Sequence, residues 1–294
     1  MMKKLLQYYR NYSAQKAEKA QILLVDHYLK SGRVPWSPGY VQYKNQQITQ
    51  VISDTATLAA FKKDEVPPQY GYKLDERIVE YAWLFSRLPT SKVRLLDAGS
   101  TFNFDFIVNH PQIENKELSI LTYAPESPSY PQKRISYVYA DLRDIPFKSQ
   151  YFDYIVSQST IEHIDMDNSI YGYEVQHHTQ KEEKSYEYLK ALEELLRVLK
   201  PQGTLLLTFP FGKFENHGFF QQFDDEMLAK ALTLLNHQGS SQLSFFRYLP
   251  AGWIACSQED CKNIVSYNPH TGRGKGDDGA AHCRSICCIA FNKT

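Results

Sequence analysis

From Val93 onward, short apolar runs of strand length alternate with stretches of helical periodicity, and no other feature limits the fold as much. Val93-Arg94-Leu95-Leu96 is a short strand ending in Asp97-Ala98-Gly99-Ser100; Leu118 to Tyr123 is a second and Ile135 to Ala140 a third. Phe152 to Ser157 reads as a fourth and Thr204 to Phe209 as a fifth, with further strands near Leu243–Tyr248 and Ser285–Phe291. Before the fifth, Tyr188, Leu192, Leu195, Leu196 and Leu199 make one helical stripe that Pro201-Gln202-Gly203 ends. Another helix is expected from Asp224 to Leu235. Strand and helix in turn predict an α/β fold, a largely parallel sheet with helices on both faces.

Residues 1–74 read differently, as an N-terminal helical and irregular extension to a domain of residues 75–294. Ser13 can cap a helix to about Lys30, with Ile22, Val25 and Leu29 on one face and Gly32 as the stop. Pro35, Pro38, Gly39, Pro67, Pro68 and Gly71 mark turns and extended chain. The domain then opens with a helix from Asp75 to Leu88. It places Ile78, Tyr81, Ala82, Phe85 and Leu88 on one side and Arg77 and Glu80 on the other. The extension is expected to lid the core or make a homodimer contact.

Charge narrows the partners. With 33 basic and 33 acidic residues the formal net charge is zero, so no nucleic-acid partner is expected. No apolar run approaches the roughly 20 residues that cross a bilayer. The opening Met1–Arg10 has signal-like charges but no apolar stretch of ~7–15 residues behind them. The expectation is a cytoplasmic protein with no membrane contact. Tyr and Phe number 21 and 16, enough for mixed surfaces that stack on sugars or a partner chain. The tyrosines of the extension (Tyr8, Tyr9, Tyr12, Tyr40, Tyr43, Tyr70, Tyr72) either stack on such an acceptor or pack on the core.

Five cysteines without a CxxC pair do not suggest a disulfide scaffold. Cys256 and Cys261 with His282 or Cys283 make an imaginable zinc set, and Cys287 and Cys288 belong to a buried strand. Plain thiols are the alternative, and the site is read as metal-free. The Gly-rich loop Gly272 to Gly279 lacks the strand–loop–helix setting of a phosphate cradle and reads as a connection.

Three loops fall at the carboxyl ends of predicted strands, where an open α/β sheet binds its ligands. They are Leu96-Asp97-Ala98-Gly99-Ser100-Thr101-Phe102-Asn103, Ala140-Asp141-Leu142-Arg143-Asp144, and Ser157-Gln158-Ser159-Thr160-Ile161-Glu162-His163-Ile164. With "FDYIVSQSTIEHI" and "LLRVLKPQGTLLLTFP", the chain from about residue 75 to 293 resembles the class I S-adenosylmethionine-dependent methyltransferases. Within them it is similar to those that tailor polysaccharides or small molecules. The resemblance implies a seven-stranded Rossmann-like core and S-adenosyl-L-methionine as cofactor. It implies that Asp97, Ala98 and Gly99 line the methionine moiety, with Ser100 beside them, and that Asp97 meets the amino group. Asp141 and Leu142 would meet the adenine, and Ser157 would sit beneath the cofactor. The sequence departs from the family in two places. Ser100, Thr101 and Asn103 replace much of the glycine pattern. The ribose-gripping acid after the second strand is missing, leaving Thr122 or Tyr123 for one hydrogen bond and Glu126 to compensate if the turn folds back.

An alcohol acceptor must lose its proton as the methyl arrives, so a positioned base contributes about 10²–10⁴-fold. His163, beside Glu162, is the first candidate; the alternative is that this pair only caps the loop. His217, in the loop after the fifth strand, is the second, with an exposed loop histidine as its alternative. The long polar insertion from Asp165 to His178 is expected to cover the acceptor site. Its Asp165, Asp167, Glu174, His177 and His178 are either metal ligands or ordinary caps and solvated groups. The expected activity is O-methylation of a hydroxyl on a small polar molecule or glycan. The alternative is a non-catalytic relative that serves as a partner or regulatory subunit.

Overall fold

The computed structural model describes residues 2–169 and 183–294, so Glu174, His177 and His178, and the side chains of Tyr8 and Tyr9, lie outside the described residues. Parallel strands buried on both faces need near-continuous apolar runs, and the predicted strands appear within a few residues of where those runs fall. They are β1 (Arg94–Ala98), β2 (Glu117–Thr122), β3 (Ser136–Tyr139), β4 (Phe152–Gln158) and β5 (Leu199–Pro210). The short pair β6 (Glu215–Asn216) and β7 (Gln221–Gln222) follows, then β8 (Gly239–Leu249), β9 (Gly252–Cys256) and β10 (Ser285–Lys293). The main sheet has eight strands in the order β3-β2-β1-β4-β5-β10-β8-β9. Strands β1 to β5 are parallel, and β10 runs antiparallel between β5 and β8. The eighth strand, one more than the expected seven, is β9. It adds to the edge by a tight hairpin and buries Trp253.

Before the sheet come α1 (Met2–Lys30), α2 (Tyr40–Ser53), α3 (Thr55–Phe61) and α4 (Arg77–Arg87). The short α5 (Asp105–Val108) and α6 (Pro111–Glu114) follow β1, while α7 (Tyr188–Val198), α8 (Asp225–Asn236) and the one-turn α9 (Gln258–Cys261) come later. One core joins α2 and α4 to the sheet through Ile48, Ile52, Phe61, Trp83, Phe85, Leu95, Val156 and Phe246. The other joins α7 and α8 to the opposite face through Leu192, Leu195, Leu228, Leu235, Leu207 and Ile289.

Three local readings are corrected. The first helix starts at Met2 rather than Ser13, and it buries Val25 and Tyr28 while Ile22 and Leu29 are exposed. Pro201-Gln202-Gly203 lies inside β5, where Gln202 takes a left-handed φ of 61° and the pairing with β4 slips between Phe152 and Tyr154. Glu80 does not face away from the core; it is fully buried. Val79, Trp83 and Leu84 make α4 apolar all round, and such a helix has no solvent side to offer an acid.

Helix α2 is tied to the start of α4 by charge as well as packing. Lys44 Nζ lies 2.5 Å from Asp75 Oδ2, with the two side chains 13% and 2% exposed. Removing one member of a buried pair costs about 3–5 kcal/mol. Lys44→Met is therefore expected to lower the unfolding free energy by about 3 kcal/mol in urea melts. A loss under about 0.5 kcal/mol would mean that this pair holds nothing together.

Candidate functional site

Strand order reverses between β1 and β4, which opens a crevice at their carboxyl ends. The loop after β1 is held from below by Asp97. Its Oδ1 accepts from Thr101 N (3.1 Å) and Thr101 Oγ1 (3.0 Å), and its Oδ2 accepts from Phe102 N (2.7 Å). Burial pushes this carboxyl up to about 7, against the pull of those donors. Asp97 thus shapes the loop, and Ala98 beside it is fully buried. Gly99 has φ of +133°, and a Cβ there would lie 2.0 Å from Thr160 Oγ1. Its missing side chain is what lets the loops after β1 and β4 meet.

The departures from the glycine pattern have a structural role. Ser100 takes a left-handed φ of 60°, and its hydroxyl donates to Glu126 Oε2 at 2.7 Å. Asn103 Nδ2 donates to the same oxygen at 3.1 Å, while Thr122 Oγ1 donates to Glu126 Oε1 at 3.3 Å. The turn after β2 therefore folds back and puts a carboxylate at the end of that strand, beside the β1 loop. Tyr123 is exposed. Asp141 is bound by Arg143 through Nε (3.0 Å) and Nη2 (2.7 Å) as well as its backbone N–H (2.8 Å). Against burial, which raises it, these bonds hold the Asp141 carboxyl below its ordinary value. Leu142 is buried beside it, and Ser157 is fully buried near the end of β4 with its hydroxyl unpartnered.

On the other side of β4 lies a polar cluster that the sequence did not announce. Glu80 Oε1 accepts from Ser159 Oγ (2.5 Å) and Thr208 Oγ1 (2.6 Å), and Oε2 accepts from Gln158 Nε2 (3.1 Å) and Arg77 Nη1 (3.1 Å). It joins α4 to the ends of β4 and β5. Glu162 is buried, its Oε2 unpartnered, and desolvation holds its carboxyl well above the usual range. His163 Nδ1 lies 2.6 Å from the Phe219 carbonyl oxygen, which fixes Nδ1 as the donor and leaves the lone pair on Nε2. Its Nε2 is 4.0 Å from Glu162 Oε1. Burial depresses His163 to about 4. His217 is no exposed loop histidine: it stacks on Phe220 at 4.4 Å with both ring nitrogens buried and unpartnered, and burial depresses it to about 3.

Phe220 also packs against His282, at 5.1 Å, and His163, at 6.2 Å, so three imidazoles surround one ring. His282 Nδ1 lies 3.2 Å from Glu76 Oε1, at the start of α4. Burial opposes the charge of Glu76, but His282 and Arg77 outweigh it and hold the carboxyl far below its ordinary value. The structure brings His163 and His217, with Glu162 beside them, around Phe219 and Phe220, and near them stand Glu76, Arg77 and Glu80, which sequence reading did not single out. The missed signal was the all-round apolar character of α4.

Of the cysteines and histidine weighed as a zinc set and read instead as plain thiols, Cys256 and Cys261 face each other with sulfurs 3.3 Å apart, on β9 and α9, whereas His282 and Cys283 belong to the Glu76 cluster. Asp165 accepts from Ser185 Oγ at 2.8 Å and Asp167 from Ser169 N at 3.0 Å, so both act as loop braces.

Two predictions follow from burial. Glu80→Leu strands four donors and is expected to destabilise by about 3–5 kcal/mol; Glu80→Gln keeps two of its acceptor contacts and should cost less. A chemical melt in which both variants match wild type would contradict the network. The second concerns pH. Folded His163 and His217 resist protonation until about pH 4 and 3, whereas the unfolded chain takes protons near its ordinary value. Their contribution is present above pH 6.5 and lost as pH falls towards those values. Asp97 acts in the opposite sense: its contribution is lost as pH rises from about 4 to about 7. His217→Phe, which preserves the ring stack, is expected to remove several kcal/mol of the acid-side loss. An unchanged stability–pH profile would contradict the burial of a neutral imidazole.

Residues 118–207, from β2 into β5, match the methyltransferase-domain family. No curated protein matches the chain. Among solved structures, the YcgJ protein of Bacillus subtilis is 13% identical, with 69% of this chain and 92% of that one covered and a TM-score of 0.42. The 1,6-didemethyltoxoflavin-N1-methyltransferase of Burkholderia thailandensis, solved with 1,6-didemethyltoxoflavin and S-adenosylhomocysteine bound, is 13% identical, with 95% and 90% covered and a TM-score of 0.43. A possible histamine N-methyltransferase of Thermotoga maritima is 12% identical, with 85% and 99% covered and a TM-score of 0.39. Among the described residues, no helix is long and apolar enough to cross a membrane.

Proposed function

We propose that this chain, with its Rossmann-like sheet and its methyltransferase-domain segment at residues 118–207, is an S-adenosylmethionine-dependent methyltransferase acting on a hydroxyl of a small polar molecule or glycan. The observation that carries the reading is the position of that segment. It builds β2, β3, β4 and the start of β5, and so supplies two of the three loops at the crevice where strand order reverses.

The groups present fit the cofactor. The loop of Asp97, Ala98, Gly99 and Ser100 takes the methionine moiety. Glu126, drawn back by Ser100, Asn103 and Thr122, supplies the ribose acid missing from β2 itself, with Thr122 and Tyr123 beside it. Asp141 and Leu142 border the adenine, with Arg143 fixing the carboxylate's direction. The unpartnered Ser157 hydroxyl lies beneath. The bound cofactor supplies an electrophilic methyl on a sulfonium. The chain's own residues orient it and its acceptor, which supplies much of the rate. His163, held neutral with its lone pair on Nε2, receives the acceptor's proton; Glu162 and His217 line the same side. Trp36 Nε1 donates to the Ala281 carbonyl at 2.5 Å, a contact that lets residues 1–74 act as a lid on the acceptor side. A carboxylate standing at the end of β2 speaks against the rival reading of a non-catalytic relative.

The test is transfer of labelled methyl to a panel of sugar, phenol and amine acceptors. Turnover on hydroxyl acceptors, with kcat reduced about 10²–10⁴-fold in His163→Ala, is expected. Turnover on amines alone would overturn the oxygen assignment.

A further inference from the structure

The start of α4 and the segment entering β10 bring a carboxylate, an imidazole and a thiol together, and none of the three is needed for the reading above. Trp36 Nε1 and the Tyr267 hydroxyl both donate to the Ala281 carbonyl and so fix the chain next to His282 and Cys283. His282 Nδ1 lies 3.2 Å from Glu76 Oε1 and 3.3 Å from Cys283 Sγ. One ligand atom from each of the three residues falls within 4.8 Å of the others. The Cys283 N–H donates to Glu76 Oε2 at 3.2 Å, which leaves Oε1 turned to the imidazole.

We propose that Glu76, His282 and Cys283 form a site for a zinc-class divalent cation, with one coordination position open. Metal–ligand distances of about 2.0–2.3 Å in a tetrahedron put N and O about 3.3 Å apart and N and S about 3.5 Å apart. The observed separations of 3.2 and 3.3 Å need shifts of a few tenths of an ångström at most. A mixed N, S, O set suits zinc or cobalt, not magnesium or calcium, which take oxygen ligands. Three protein ligands with one open position is the pattern of a site that also holds water or a small ligand.

The surrounding charge points the same way. Burial first, and then the nearby Glu76, Glu80 and Glu162, keep the Cys283 thiol protonated. Arg77 faces them, but its guanidinium is already shared between Glu80 and the Gln158 carbonyl. A dication would offset the buried Glu76 and Glu80 carboxylates, and its binding, with the imidazole coordinating through an unprotonated Nδ1, would release the thiol proton to solvent. The Cys256–Cys261 pair is a separate thiol site and serves as the internal control.

The experiment is titration of the chelator-treated full-length protein with Co²⁺ under reducing conditions, followed by absorption spectroscopy. The site predicts a thiolate-to-cobalt charge-transfer band that saturates at one equivalent and is displaced by Zn²⁺. Cys283→Ser abolishes the band and Cys256→Ser retains it. His282→Asn, which spares the thiol should Cys283→Ser fold poorly, weakens cobalt binding about tenfold or more. No charge-transfer band in the wild-type protein would overturn the proposal and leave a Glu76–His282 ion pair beside a neutral thiol. So would a band that survives Cys283→Ser and disappears in Cys256→Ser. The readout does not depend on methyl transfer, so its failure is distinct from failure of the enzymatic reading.

Discussion

The buried carboxylate of Glu80 is the interaction that joins α4 to the ends of β4 and β5. It receives bonds from Ser159 and Thr208 on one oxygen and from Gln158 and Arg77 on the other. Those donors come from the end of β4, from β5 and from the first turn of α4, so one side chain registers the helix against two strands. Left without it, several buried polar groups would be stranded at once, each costing about 1–3 kcal/mol. Because α4 is fixed there, Glu76 meets the segment before β10 and Arg77 meets the Gln158 carbonyl.

The loops after β1 and β2 follow a different logic. There the chain dispenses with most of the glycines of a nucleotide loop and ties the loop down with side chains. Asp97 holds it from below and Glu126 holds it from the side. Only Gly99 must remain glycine for lack of room, because Thr160 already fills the space a methyl would take. The side of the crevice beyond β4 is aromatic: the imidazoles of His163, His217 and His282 pack on Phe219 and Phe220. On the proposed reading, a hydroxyl entering such a place would lose solvent and meet fixed dipoles, conditions under which electrostatic interactions strengthen.

Much of this was legible in the sequence, for a definite reason. Strands such as Phe152–Gln158 and Ser285–Lys293 are buried on both faces, so their apolar runs announce them. The stripe Tyr188–Leu192–Leu195–Leu199 likewise marked α7, although Leu199 itself begins β5. Harder to read were α2 and α3, whose apolar spacing is broken by Gln, Thr and Lys, and β9, a five-residue edge strand behind a Pro-Ala-Gly turn. The loops around Asp97, Asp141 and Glu162 were visible because strand ends mark them. The Glu80 network was not. Its members are scattered from residue 77 to residue 208, and a buried polar cluster of that kind has no period to detect. The folding back of Glu126 was conditional on a turn whose geometry the residues alone leave open.

On the proposed function, the reversal point between β1 and β4 holds S-adenosylmethionine, with Glu126 standing in for the acid of the second strand. Calorimetric titration with S-adenosylhomocysteine, on the wild-type chain and on Glu126→Gln, tests this most directly. The predicted result is wild-type binding with Kd near the micromolar range, about −8 kcal/mol. A weakening of about tenfold or more is predicted in the variant, from loss of a charge-assisted bond worth about 1.5–3 kcal/mol. Absence of binding to well-folded wild-type protein, or equal affinity in the two, would contradict it.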